Sequence, residues 1–155
     1  MKKTTSILFL LLFAIILLPV AEAQKPVARQ VALNNLIKTN RAIGFAHMAV
    51  KRGKVYTGNL GKAVRNQRYA KKLFLAGKHL KAIHYSRRAR VLALEAVKAN
   101  KVKPNSDFNF TAEENESAAN TPTDQELEDE LNKEMPGEIK DEELIQNNNL
   151  DLDVK

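Results

Sequence analysis

The chain has 155 residues, with 25 Lys and Arg against 18 Asp and Glu, and neither Cys nor Trp. At about 100–200 residues per domain, that leaves room for one domain plus tails. The lack of Cys excludes a disulfide framework, a thiol nucleophile, a cysteine-ligated zinc and a lipidated N-terminal cysteine.

Met1, Lys2 and Lys3 open a charged leader, Ile7–Leu18 is an unbroken apolar run, and Ala21, Glu22 and Ala23 form a small-x-small step. That order predicts a secretory signal peptide over residues 1–23, cut between Ala23 and Gln24. The run is shorter than the ~20 apolar residues of a spanning helix and meets Pro19 and Glu22, so no transmembrane helix is expected after cleavage. A short Leu/Ile-rich signal behind two lysines has a bacterial character, which points to a periplasmic or secreted product.

The net charge of +7 hides two opposed blocks. Residues 24–103 hold 20 Lys and Arg and one acid, Glu95; residues 104–155 hold 16 acids and three lysines, Lys133, Lys140 and Lys155. Apolar residues fall from 38 of 80 in the first block to 14 of 52 in the second. The first can bury a core, whereas the second has the low hydrophobicity and high charge of a disordered segment. The boundary is placed at Lys103-Pro104.

The basic block reads as helical throughout, an all-α bundle of about three helices. After Pro26, a residue suited to a first helical turn, Ala28, Val31, Ala32, Leu36, Ile43, Ala46, Ala49 and Val50 recur at three- and four-residue steps. Gly53, behind Lys51 and Arg52, reads as a C-terminal stop. Asn59 is positioned to cap a second helix to about Ala76, with Ala63, Tyr69, Ala70, Leu73 and Phe74 inward. Gly77 marks a turn, and a third helix runs from about Lys78 to Asn100.

Two stripes of small residues follow coiled-coil-like spacing: Ala42, Ala46, Ala49 and Gly53 on the first helix, and Ala82, Ser86, Ala89, Ala93 and Ala96 on the third. Such stripes let backbones approach closely, either within one chain or across a homodimer. Ala42-Ile43-x-Phe45-Ala46 and Ala82-Ile83-x-Tyr85-Ser86 also align at a period of 40, which raises an internal duplication. In the tail, Thr123-Asp-Gln-Glu126 is a capping box, with Leu127, Leu131 and Met135 at four-residue steps. It predicts a short acidic amphipathic helix over 123–135, the shape of a helix-in-groove ligand for a basic surface. The rest of 104–155 is expected to be disordered.

The stretch Ala70-x-x-Leu73-Phe74-x-x-Gly77, continued by Ala82-Ile83-x-Tyr85-x-x-x-Ala89, resembles one tetratricopeptide-type hairpin. Asn66 stands where that family has Trp, and no Pro follows Ala89. The likeness covers about 30 residues and implies a scaffold for protein–protein contact; one such unit cannot bury its own face.

Catalytic patterns are missing from the basic block. With Glu95 its only acid, it cannot supply paired carboxylates. No Gly-x-Ser-x-Gly elbow occurs, and Gly53-x-x-x-x-Gly58 lacks the Lys-Ser/Thr of a phosphate loop. His79 and His84 are five apart, on different helix faces, and His47 is remote. No catalytic, cofactor or metal residue is assigned. What stands out is the cation excess. Lys62, Arg65, Arg68 and Lys72 line one side of the second helix, and Lys81, Arg87, Arg88 and Arg90 do so on the third. Self-repulsion on this scale calls for a nearby anion. The expectation is an exported, non-enzymatic binding or adaptor protein whose basic face meets an acidic partner and is masked by its own tail. The alternative is a binder of anionic envelope lipid or another polyanion.

Overall fold

The computed structural model describes residues 20–147 and 150–153, with side chains from Ala28 onward. The signal peptide expected over 1–23 lies almost wholly outside the described residues. The Ala23–Gln24 step falls in the first turns of a helix, where only the backbone is described. Among the described residues there is no strand, and no helix is long and apolar enough to cross a membrane.

Three long helices carry the core: α1 (Val20–Gly53), α2 (Asn59–Leu75) and α3 (His79–Ala99). The periodic apolar residues of each turn inward. Val31, Ala32, Leu36, Ile43, Ala46, Ala49 and Val50 of α1 are buried, as are Ala63, Tyr69, Ala70, Leu73 and Phe74 of α2. The two small-residue stripes face each other. Ala46 and Ala49 share one core cluster with Ala89, Ala93 and Ala96, and further along the seam the Ser86 hydroxyl donates to Thr39 Oγ1 at 3.0 Å. Where α1 ends, Gly53 lies against Asn100, leaving no space for a Cβ. Both stripes are thus consumed inside one chain, and neither is left for a second copy.

The acidic segment departs from the expectation of disorder. After a 3₁₀ turn at Ser106–Phe108 come three helices: α4 (Ala112–Glu116), α5 (Asp124–Glu134) and α6 (Asp141–Gln146). The segment wraps the bundle and delivers Phe108, Leu127, Leu131, Leu144 and Leu152 to buried positions. Leu127 and Leu131 join the cluster of Leu36, Tyr69 and Tyr85, while Leu144 and Leu152 join that of Ile43, Leu60 and Val97. Each fully buried leucine is worth about 1.5–3 kcal/mol. A segment too polar to build its own core thus completes one begun by the bundle.

The capping of α2 is also different from the expectation. Its N-cap is Gly58 (φ 77°), and no side chain of the helix itself caps it. Instead Asp141, 1 % exposed, arrives from the tail. Its Oδ2 accepts from the amides of Thr57 and Gly58 at 3.0 and 2.9 Å, and its Oδ1 from Gly61 at 2.8 Å. A carboxylate at a helix N-terminus meets both the orphan amides and the positive end of the dipole. Gly61 is needed for the approach, because a Cβ there would stand 1.8 Å from the Ile139 carbonyl oxygen. Gly61→Ala is therefore expected to push the tail off this helix end at a cost of about 1–3 kcal/mol. A lowered melting temperature and faster hydrogen exchange at amides 57, 58 and 61 would show it; unchanged exchange there would refute the cap.

Candidate binding surface

The eight cations picked out on α2 and α3 do share a surface, and seven of them touch the tail. Arg65, on α2, closes the C-terminus of α5. Its guanidinium donates to the carbonyl of Met135 at 2.6 Å and 3.0 Å, to that of Leu131 at 3.3 Å and to Asn132 Oδ1 at 2.8 Å. Glu128 lies 3.5 Å away. A cation among the last carbonyls of a helix answers its negative dipole end. One turn on, Arg68 donates to the Leu150 carbonyl at 3.1 and 3.2 Å, and Lys72 faces Glu134 at 3.7 Å.

On α3, Lys81 meets Glu130 at 2.9 Å, and Arg88 meets Glu128 at 2.9 Å while also donating to the Asp124 carbonyl. These four tail acids sit on α5, whose Leu127 and Leu131 point into the groove between α2 and α3. Helix α5 starts at the Thr123/Glu126 capping box, with both reciprocal bonds formed. The exposed pairs contribute little individually, about 0–1 kcal/mol. Burial of the leucines and the Arg65 cap carry the docking.

The inner part of the surface is Arg90. It has no solvent exposure and forms a two-point pair with Glu114, Nη2 to Oε1 at 2.6 Å and Nη1 to Oε2 at 3.2 Å. Its remaining donors reach Thr39 Oγ1 at 3.1 Å and Asn35 Oδ1 at 2.8 Å. The centroid of the Phe110 ring lies 4.8 Å from its guanidinium carbon and 4.0 Å from that of Arg87, so the two arginines share one aromatic ring. Arg87 also donates to Asn115 Oδ1 at 3.0 Å. Only Lys62 of the eight meets no tail group: its side chain is exposed and has no ion-pair partner among the described residues.

Several contributors lie outside the residues singled out from sequence. Lys38 of α1 reaches Glu114 at 3.4 Å and the Asn109 carbonyl at 2.6 Å. Lys71 meets Asp151 at 3.1 Å. The Gly53-x-x-x-x-Gly58 loop does receive an anion on its Gly58 amide, but that anion is Asp141. One signal for Glu114 was present: Thr111-Ala-Glu-Glu114 is a second capping box, and both of its bonds form. Phe110 and Asp141 carry no sequence pattern that marks them.

The titrating groups respond to this packing. Burial pushes the Glu114 carboxyl up, but the Arg90 bonds, the Thr111 amide and the charges of Arg90 and Lys38 outweigh it and hold the group below its ordinary value. Glu130 behaves alike, burial being outweighed by Lys81 and the hydroxyls of Tyr69 and Tyr85. Burial, with Glu130 adding to it, lifts Tyr69 to about 12. Burial first, then the charges of Arg87 and Lys81, lowers His84, whose Nδ1 lies 2.8 Å from Thr121 Oγ1. Among the described residues no cluster of His, Asp and Glu is arranged to hold a metal.

Stability is expected to fall in two steps on acidification. Below the ordinary His value of 6.5 the unfolded chain takes a proton that folded His84 resists, so stability is lost first there. Below the ordinary Glu value of 4.5, unfolded carboxylates protonate before Glu114 and Glu130 do, and the second loss follows as the pH falls through their lowered folded values. Denaturation midpoints across pH 7 to 3 measure both steps, and His84→Gln should abolish only the first. At neutral pH, Glu114→Gln is expected to cost about 3 kcal/mol, because it leaves Arg90 buried without its counter-charge. A loss well under 1 kcal/mol would mean that the pair is not buried in solution.

In comparisons with protein-family models, curated proteins and solved structures, nothing matches this chain.

Proposed function

We propose that this is an exported, non-enzymatic helical binding protein whose basic α2–α3 groove accepts an acidic amphipathic helix, and that its own α5 is the resident occupant. The observation that carries this reading is the way α5 is held. Two leucines one turn apart, Leu127 and Leu131, enter the groove, acids flank them towards Lys72, Lys81 and Arg88, and Arg65 closes the far end. That is the helix-in-groove mode of recognition, with the ligand supplied in cis. An outside partner of the same chemistry, a helix with Leu-x-x-x-Leu and flanking acids, competes with α5 for the groove.

The rest of the tail supports exchange confined to α5. Glu114 on one side and Asp141 on the other are deeply buried anchors, whereas the Lys72–Glu134 and Lys81–Glu130 pairs of α5 are solvent-accessible. Loss of α5 from the groove would leave both anchors in place. Export rests on the leader and the Ala21-Glu22-Ala23 step, and the non-enzymatic reading on a basic block whose only acid is Glu95 and whose cations are engaged by the carboxylates of the tail.

Leu127→Ser with Leu131→Ser should empty the groove while both anchors hold. The variant is then expected to bind a peptide of residues 121–137 in trans at least roughly tenfold more tightly than the parent chain, whose groove is filled. Equal affinity of parent and variant, measured by fluorescence anisotropy, would refute the resident-ligand reading. N-terminal sequencing of protein recovered from its host should start at Gln24; a retained leader would refute export by cleavage.

A further inference from the structure

The tail does not reach every cation. At one end of the bundle the C-termini of α1 and α3 meet, joined by Asn100, whose side chain donates to the Val55 carbonyl at 3.0 Å and accepts from the Val55 amide at 3.0 Å. Around this junction stand Lys51, Arg52 and Lys54 from α1 and its run-off, and Lys98, Lys101 and Lys103 from α3 and its run-off. All six are exposed, and none forms an ion pair among the described residues. Two helix C-termini together supply about one unit of negative charge, so six cations exceed what the dipoles call for.

The backbone adds a second, independent observation. Lys54 and Lys101 have φ of 57° and 56°, the left-handed region that favours glycine at a helix end. At both helix ends of this junction the chain places a lysine where glycine would be relaxed. Between the two helix ends, the loop presents Val55 and Tyr56, 43 % and 38 % exposed, directly after Lys54. An apolar residue and a tyrosine at a tip ringed by cations match a membrane surface: the side chains enter the headgroup layer and the cations face anionic lipid.

From this geometry we infer that the Lys51–Tyr56 and Lys98–Lys103 end of the bundle docks the protein on a bilayer carrying anionic lipid. The pole lies apart from the α5 groove, so docking does not depend on helix exchange there. A soluble polyanion would use the cations but would have no need of Val55 and Tyr56.

The test uses the protein in the form its host leaves it, with phosphatidylcholine vesicles made with and without phosphatidylglycerol. Binding is scored as the difference between the two, so that any apolar leader, which would favour both alike, cancels. The parent is expected to bind the anionic vesicles selectively. Lys51→Gln, Arg52→Gln, Lys54→Gly and Lys101→Gly combined should weaken that binding at least roughly tenfold. The double variant Lys54→Gly/Lys101→Gly alone relieves backbone strain, so it should melt no lower than the parent yet bind less, which keeps the outcome separate from misfolding. Val55→Ser with Tyr56→Ser should reduce vesicle binding and leave heparin binding unchanged. Selective binding by the charge variants equal to the parent's would overturn the inference. So would a Val55/Tyr56 variant that binds anionic vesicles as the parent does, which would assign the pole to a soluble polyanion.

Discussion

Arg90 lies between α1 and α3 with no exposure to solvent, and a guanidinium in that position requires a carboxylate within bonding distance. The basic block offers none, since its only acid, Glu95, is exposed on α3. Glu114 has to come from the tail, and its arrival constrains everything nearby. The Thr111 capping box orients it, Phe110 stacks over the two arginines, and Lys38 adds a second cation. The bundle and the acidic segment are therefore one folding problem: without the tail the core would contain an unpaired charge.

The same division of labour recurs along the wrap. The bundle supplies cations, open amides and apolar grooves; the tail supplies carboxylates and a few leucines. Asp141 does for the start of α2 what the helix's own residues do not, and Arg65 does the reverse for the end of α5. Deeply buried contacts at Glu114 and Asp141 are little screened by salt, whereas the exposed pairs of α5 are screened over about 8 Å at physiological ionic strength. A simple picture of two oppositely charged surfaces held loosely together is thus insufficient. Two anchors fix the tail, and the α5 span between them is held by weaker means.

Charge and sequence order together also explain which cations remain outside this arrangement. The tail leaves α3 at Lys103, covers the α2–α3 face and returns at Asp141 to the start of α2. The cations at the ends of α1 and α3 form no ion pair with it among the described residues. Pairing the cations of one face with carboxylates while these keep no ion pair makes the charge of the basic block uneven.

Much of the helical bundle is legible in the sequence. The three- and four-residue steps of Val31 to Val50 and of Ala63 to Phe74 mark faces that are indeed buried, and the small-residue stripes that pack together stand out by spacing alone. The helix of α5 was legible for the same reason, as a capping box and its leucine steps are local signals. Disorder was the natural reading for the rest of the tail, because composition weighs a segment by itself. Its few apolar residues, such as Phe108 and Leu144, are too sparse to form a core yet sufficient to finish one.

For the surface, sequence alone determined which residues carry charge and that α2 and α3 each present a basic side. It could not determine which carboxylate each cation meets, because that pairing spans 24 residues for Arg90 and Glu114 and 80 for Lys71 and Asp151. Local patterns register neighbours within one or two helical turns. Pairings over such separations exist only once the helices have packed, when the grooves and open amides that select a partner come into being.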